Sequence, residues 1–452
     1  MVRSDFFEWF GRDRFSTFDG VAGNPPYIRF GSWEEAHRAR AFALMRHEGL
    51  NPTRLTNAWV PFVVAALLAV RTGGHVGLVL PAELLQVGYA APLRSHLVDH
   101  CSQVTVISFK HLVFPGVLQE VVLLLAVKGA GPAAIRTVEV ADANGLASVD
   151  LTGSAVRAHL HESEKWTKYY LGAEAIELVR AARADHRLAP LSSYASVNVG
   201  VVTGRNSFFC LTDAEANERR LTRFTVPLVA RSAQLTGTEF NVADLAAQGK
   251  LDAKTRLLAL PPEFDLTKNV AAARYVALGE GEGVQEGYKC RIRKSWWSVP
   301  SIYVPDGFML RQVSTHLRLA ANAAGATSTD TVHRLFMRDG VRVDQLATAA
   351  FNSVSLAMSE VIGRSYGGGI LELEPSECMD LPVPDPALVP EGLVPKVDEL
   401  IRAKRYDDAM ELVDEQVLVE AAGLDPDDVA AMRDVWLRLR NRRAARATRS
   451  AT

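Results

Sequence analysis

Between Phe18 and Gly129, short apolar runs rich in β-formers alternate with helical stretches, and this alternation leaves few folds open to the chain. The runs cover residues 19–22, 76–80, 104–109 and 121–127, and residues 55–72 read as a helix between the first two. Gly73-Gly74 stops that helix and leads into Val76-Gly77-Leu78-Val79-Leu80, which ends at Pro81. Strand, helix, strand in this order is a βαβ crossover, the unit of a parallel sheet. The last two runs are close in sequence, joined by a loop with Phe114-Pro115-Gly116, which predicts an antiparallel pair.

The remaining chain has a different texture. Residues 129–188 are transitional, with an edge-type strand at 134–140 and a helical run at 173–184. From Leu191 to about Pro384 the sequence is irregular and rich in Gly, aromatic residues and short strands. Leu381-Pro382-Val383-Pro384-Asp385-Pro386 reads as an extended linker. Residues 397–446 are helical, broken into two helices by Gly423-Leu424-Asp425-Pro426. At 452 residues, 48% hydrophobic and 23% charged, the chain has material for two or three domains with ordinary cores. Its longest apolar stretch, residues 59–70, is too short to span a bilayer, and the start carries no signal-peptide pattern. Cys101, Cys210, Cys290 and Cys378 are too far apart to suggest a metal knuckle or a disulfide framework. A reduced, cytoplasmic protein without a metal is expected.

The net charge of −2 hides two basic clusters. Lys289, Arg291, Arg293 and Lys294 stand beside Trp296-Trp297, and Arg433, Arg438, Arg440, Arg442, Arg443, Arg446 and Arg449 crowd the last stretch. Either suits phosphates, and either could equally be a solvated face. Thr331-Val332-His333-Arg334-Leu335 reads as a strand that faces a ligand or holds a structural histidine. No His, Asp or Cys cluster suggests a metal, no triad is apparent, and no acidic-plus-lysine constellation suggests a nuclease.

The chemistry concentrates in Phe18-Asp19-Gly20-Val21-Ala22-Gly23-Asn24-Pro25-Pro26-Tyr27. An exocyclic amino group on a base is a poor nucleophile because its lone pair is delocalised into the ring. Two acceptors on its two N–H bonds make it more tetrahedral and stabilise the positive charge that develops on nitrogen. The Asn24 side-chain oxygen and the Pro25 carbonyl suit that task. Each proline fixes its own φ and pushes the preceding residue toward an extended conformation, so Asn24 and Pro25 are held rigid. Tyr27 offers a flat face for an extruded base, a contact worth about 1–3 kcal/mol. The bland alternative is a proline-rich turn with Tyr27 packed on the sheet.

With these residues in view, the chain resembles the TaqI-like, gamma-class DNA adenine-N6 methyltransferases. Ser4-Asp5-Phe6-Phe7 resembles the family's acidic motif, which implies that Asp5 touches the cofactor, S-adenosylmethionine. Residues 74–81 resemble the next core strand. Val113-Phe114-Pro115-Gly116 followed by residues 120–127 resembles the late motif whose aromatic side chain covers the other face of the flipped adenine, so Tyr27 and Phe114 would sandwich the base. Gly200-Val201-Val202-Thr203-Gly204-Arg205-Asn206-Ser207-Phe208-Phe209 resembles the opening of the target-recognition domain. There, Arg205 and Asn206 are of the kind that read guanine and adenine, and Lys289, Arg291, Arg293 and Lys294 of the kind that hold the backbone of double-stranded DNA across a cleft. The resemblance implies an α/β fold: the C-terminal half of a Rossmann-like methyltransferase sheet (1–130), a connecting segment (131–188), a mixed α+β target-recognition domain (189–385) and C-terminal helices (386–452).

The family's glycine turn for the cofactor and its acidic ribose contact have no counterpart here. Gly367-Gly368-Gly369 follows no obvious strand and reads as a loop. In a doubly wound sheet the strand ending at Ala22 should have neighbours on both sides, so something is expected to cover it. A second polypeptide supplying the cofactor half, a reading frame taken too short, and a degenerate remnant that binds without catalysis all fit. Two other functions stand beside DNA adenine methylation: a non-catalytic DNA-recognition subunit, and a methyltransferase for glutamine side chains, against which the Phe114 motif and the large second domain argue.

Overall fold

The computed structural model describes residues 4–110, 113–114, 120–151, 156–157, 165–366 and 368–445. The chain divides into two units: Met1–Glu177 with Arg364–Leu371 and Arg438–Thr452, and Leu178–Gly363 with Glu372–Leu437. Both mix helices with mixed sheets.

In the first unit, β1 (Phe18–Gly23), β2 (Val70–Pro81), β3 (Cys101–Phe109), β4 (Val121–Lys128), β5 (Ala134–Val140) and β6 (Val156–Arg157) form one sheet in the order β1-β2-β4-β3-β5-β6. β1 runs parallel to β2, pairing Val21 with Val76 and Gly23 with Leu78. β4 is antiparallel to both β2 and β3, and β5 is parallel to β3. The expected βαβ crossover and the antiparallel pair are therefore present. β5 has the expected bounds but lies between β3 and the two-residue β6.

The crossover helix, α3 (Trp59–Ala69), follows α1 (Phe6–Trp9) and α2 (Glu35–His47). It is apolar all round and almost wholly buried, packed against both β2 and α2. Its Pro61 falls in the first turn, where no intrahelical N–H bond is lost. Gly73-Gly74 does not stop this helix, which already ends at Ala69. The two glycines sit inside β2, where the pairing with β1 slips between Phe18 and Gly20. A Cβ on Gly74 would lie 2.8 Å from the Arg71 carbonyl and 3.0 Å from that of Asp19. A glycine in a strand marks such a close approach as readily as a helix end.

The two faces of the sheet differ. Val122, Leu124 and Ala126 of β4 are buried, whereas Leu123, Leu125 and Val127 are half-exposed on the other side. Among the described residues β1 has a neighbour on one side only, and Val21 is its single residue that is not exposed.

In the second unit a five-stranded sheet runs Glu239–Phe240, Leu319–Asn322, Gly307–Leu310, Val332–Met337, Ala195–Asn198, and a four-stranded one runs Thr327–Ser328, Thr225–Val229, Arg256–Leu258, Cys210–Leu211. Phe208, Phe209, Leu257, Tyr275 and Cys290 form a core on which Trp296 and Trp297 pack. The expected linker is instead a buried strand: Pro382–Pro384 pairs antiparallel with Leu188–Pro190. Alternating prolines favour extended backbone, and extended backbone serves a short strand as well as a tether. In the segment Arg364–Leu371 of the first unit, Gly368 and Gly369 follow strand Arg364–Tyr366 and precede strand Ile370–Glu372, so a strand does precede them; Gly367 lies outside the described residues. Beyond Pro384 the helices are Leu393–Arg402, Tyr406–Val413 running on as the π-helical Asp414–Ala421, and Pro426–Ala444, not two. The extra break falls at Lys404, which adopts a left-handed φ of 60°. Among the described residues no helix is long and apolar enough to cross a membrane.

Asp414, at the head of the π-helical segment, accepts from the Ser353 N–H at 2.8 Å and from the Ser353 hydroxyl, capping the buried helix Ser353–Ile362. Burial pushes its carboxyl up to about 6. A carboxyl whose folded pKa exceeds its unfolded value of about 3.9 binds more protons in the folded state, so its contribution is present below pH ~4 and lost as pH rises through ~6. Asp414→Asn removes this titration. Relative to wild type, the variant should gain ~2 kcal/mol between pH 4 and pH 7, read from denaturation midpoints at the two pH values.

Candidate active site

The loop after β1 is held from both ends. Asn24 is exposed, Pro25 is buried and Pro26 is exposed, so a rigid dipeptide anchors an asparagine that faces outward. Among the described residues nothing hydrogen-bonds the Asn24 amide, which leaves its oxygen free as an acceptor. Tyr27 donates its hydroxyl to the Val79 carbonyl of β2 at 3.0 Å. Its ring packs on a cluster of Ile107, Phe109, Val121 and Val140, and burial pushes its phenol up to about 12. The packing of Tyr27 on the sheet that the bland alternative describes is thus present, and it fixes the plane of the ring.

Downstream, Ala58 N–H donates to the Ile28 carbonyl at 2.9 Å, and Phe30 N–H to the Asn57 side-chain oxygen at 3.3 Å. The Asn57 amide donates to the Tyr89 hydroxyl at 2.8 Å and to Glu83 at 3.3 Å, and Tyr89 donates to the same carboxylate. Burial and the Glu83 charge drive the Tyr89 phenol above its ordinary range. Asn57, Glu83 and Tyr89 escape sequence reasoning because they are scattered along the chain and belong to no motif. They meet only once α3 has returned the chain to β2.

Two cavities flank the β1 edge. One, of about 470 Å³, is lined by Phe6, Trp9, Phe18, Phe62, Asn24 and Pro25, among others, with no charged side chain among the described residues. The other, of about 540 Å³, opens on the opposite face beside Val21, His75, Thr105, Leu125 and Arg136. Asp5 does not line the first cavity. Its carboxylate caps α1, accepting from the N–H groups of Phe7 at 3.0 Å and Glu8 at 3.1 Å, while the adjacent Phe6 faces the cavity and packs on Phe62 with the rings tilted. Phe114 is exposed, and its neighbour Val113 packs on the same cluster as Tyr27. Among the described residues no ring contact joins Phe114 to Tyr27. Pro115 and Gly116 of that motif lie outside the described residues.

In the second unit, Arg205, Asn206, Lys289 and Arg291 are exposed, and Arg293 is half-buried. Arg293 donates to the carbonyls of Val202 and Thr203, and Asn206 accepts from the Thr203 hydroxyl. Lys294 pairs with Glu263 at 3.3 Å, a contact too exposed to hold much. His333 and Arg334 are buried: His333 Nε2 meets the Leu373 carbonyl at 2.7 Å, and Arg334 donates to those of Val199 and Ser301. Of the C-terminal arginines, Arg442 pairs with Glu139 at 2.7 Å and stacks on Tyr170, and Arg443 is buried against the Gly369 carbonyl. Arg446 and Arg449 lie outside the described residues. Among the described residues no group of three or more His, Cys, Asp or Glu is placed to hold a metal, and all four cysteines are buried and free.

Comparison with known proteins places this architecture. The family described as "Type II methyltransferase M.Eco57I, C-terminal domain" matches residues 163–418, more than half of the chain, and "Eco57I restriction-modification methylase" matches residues 2–114. The chain belongs to this family of type II restriction-modification methylases. It is 20% identical over 380 residues to the Type II methyltransferase M.AccI of Acinetobacter calcoaceticus, covering 80% of this chain and 68% of that one. It is 23% identical over 374 residues to M.XamI of Xanthomonas campestris pv. amaranthicola, covering 80% and 66%. The chain thus spans about two thirds of these relatives. In fold it is similar to the Type IIL restriction-modification enzyme MmeI, solved in complex with DNA, with a TM-score of 0.56, 12% identity, and 97% of this chain against 59% of that one.

Tyr27→Phe keeps the ring and removes its bond to Val79. The variant should lose about 1 kcal/mol of stability in denaturant. The phenolate absorbance that rises near pH 12 in the wild type should also lose one tyrosine.

Proposed function

We propose that this chain is the catalytic and DNA-recognising part of a site-specific methyltransferase that modifies the N6 amino group of an adenine flipped out of duplex DNA. The observation that carries the reading is the exposed, unengaged Asn24 at the end of β1, stiffened by Pro25 and Pro26 and followed by a Tyr27 whose ring is pinned through its hydroxyl. In this reading β1, β2, β3 and β4 are half of a Rossmann-like sheet, and the reacting base sits beyond the strand ends that carry Asn24 and Val79. The Asn24 oxygen and the Pro25 carbonyl each accept one N–H of the amino group. That draws its lone pair out of the ring and stabilises the cation that forms as nitrogen makes its new bond. Tyr27 supports one face of the base, and Phe114, whose loop shares Tyr27's cluster, covers the other. The relatives are named as Type II methyltransferases, and MmeI is solved with DNA, which supports double-stranded DNA as the substrate.

We take S-adenosylmethionine as the methyl donor. The cavity beside Asn24 fits this group only in part. Its aromatic and aliphatic lining offers surface to a nucleoside, but among the described residues it has no charged side chain for an ammonium or a carboxylate, and the Asp5 carboxylate is occupied by backbone N–H groups. The open edge of β1 is the natural place for a further polypeptide segment to pair and to bring those groups.

Labelled methyl transfer from S-adenosylmethionine to unmethylated DNA by the chain with any polypeptide that co-purifies, with digested nucleosides identified by mass spectrometry, tests the proposal. N6-methyldeoxyadenosine is expected, reduced about 10²–10³-fold by Asn24→Ala and strongly by Phe114→Ala. N4-methyldeoxycytidine would overturn the adenine assignment. Unreduced transfer by Asn24→Ala would overturn the site.

A further inference from the structure

The second unit carries an exposed surface built from two pieces of chain far apart in sequence. The short helix Tyr288–Arg291 packs against residues 202–206. Three features lock them together. Arg293 donates to the Val202 carbonyl at 3.0 Å and to the Thr203 carbonyl at 2.7 Å. Arg205 reaches the Glu282 carbonyl at 3.2 Å. Gly204, at φ +86°, lets the loop approach so closely that a Cβ would lie 2.9 Å from the Lys289 Cβ and 3.3 Å from the Cys290 sulfur.

On this locked base stand exposed side chains, with the Lys289 ammonium 5.7 Å from the centre of the Tyr288 ring. Tyr288 is 65% exposed and Ile292 61%, four residues apart and so on one side of the helical turn, and Val202 is 40% exposed. Lys289 and Arg291 are exposed beside this pair, whereas Arg293 is bonded to the Val202 and Thr203 carbonyls, Lys294 pairs with Glu263, and the exposed Glu286 precedes the helix. A protein-binding patch keeps charge, lysine above all, away from its apolar centre. Here the apolar pair is interleaved with cations. That is the composition of a surface that neutralises phosphates while pushing apolar side chains against unstacked bases.

We propose that Tyr288 and Ile292 form an apolar wedge that packs against the bases of duplex DNA held by the second unit, while Lys289 and Arg291 hold the flanking phosphates. The inference rests on DNA being the substrate. It adds two contact residues that carry no charge. The rigid base beneath the wedge means that little ordering cost falls on binding.

The experiment uses the full chain, with any polypeptide that co-purifies, bound to unmethylated duplex DNA carrying 5-iododeoxyuridine, across a series of salt concentrations. Irradiation should cross-link DNA to the peptide containing Tyr288. Tyr288→Ala and Ile292→Ala should each weaken binding about ten-fold with an unchanged salt slope. Lys289→Ala and Arg291→Ala should each make the slope shallower by about one. The wedge side chains are exposed, so thermal unfolding should match wild type, separating these effects from misfolding. Wild-type affinity and no cross-link at Tyr288 in a protein that still binds DNA would overturn the wedge and leave the methyltransferase reading standing. Normal DNA affinity with loss of a co-purifying subunit would assign the patch to a protein contact and also overturn it. Failure of the wild type to bind DNA would sink the functional reading, and the wedge with it.

Discussion

The parallel pairing of β1 with β2 is the constraint on which the first unit depends. It aligns Gly23 with Leu78, and so sets Asn24 and Val79 at the same end of the sheet. The Tyr27 hydroxyl can then reach the Val79 carbonyl, and the loop between them becomes a fixed object. The pairing exists because α3, apolar on every side, is buried between the sheet and α2 and returns the chain alongside β1. It also needs Gly74, since a side chain there would collide with the backbone of the Arg71 turn and of β1 itself.

The charged residues divide into two kinds. Several arginines act as internal staples, their planar forks satisfying carbonyls that would otherwise be orphaned: Arg293 on Val202 and Thr203, Arg334 on Val199 and Ser301, Arg443 on Gly369. Others, such as Lys289 and Arg291, stand in solvent. Composition cannot separate these groups. A basic cluster in sequence contains both, and only burial distinguishes a staple from a ligand contact.

Local signals were legible where chemistry is local. The strands at 19–22, 104–109 and 134–140, the helix at 173–184 and the rigidity of Asn24-Pro25-Pro26 all follow from residue type and spacing. The misreadings share a cause. Gly73-Gly74, Pro382-Val383-Pro384 and the break at Lys404 are punctuation whose meaning depends on what packs beside it. Asn57, Glu83 and Tyr89 were invisible for the same reason: a hydrogen-bond network between distant residues leaves no periodic trace.

The sequence by itself determined that a stiff asparagine-proline-proline-tyrosine loop closes a β-strand in a βαβ unit, because proline geometry and apolar patterning act over a few residues. Only the tertiary structure decided that β1 stands at a sheet edge between two cavities, that Asp5 caps a helix, and which cations are free. Those outcomes depend on contacts between segments far apart in the chain, where burial and pairing, not residue type, set what each group can do.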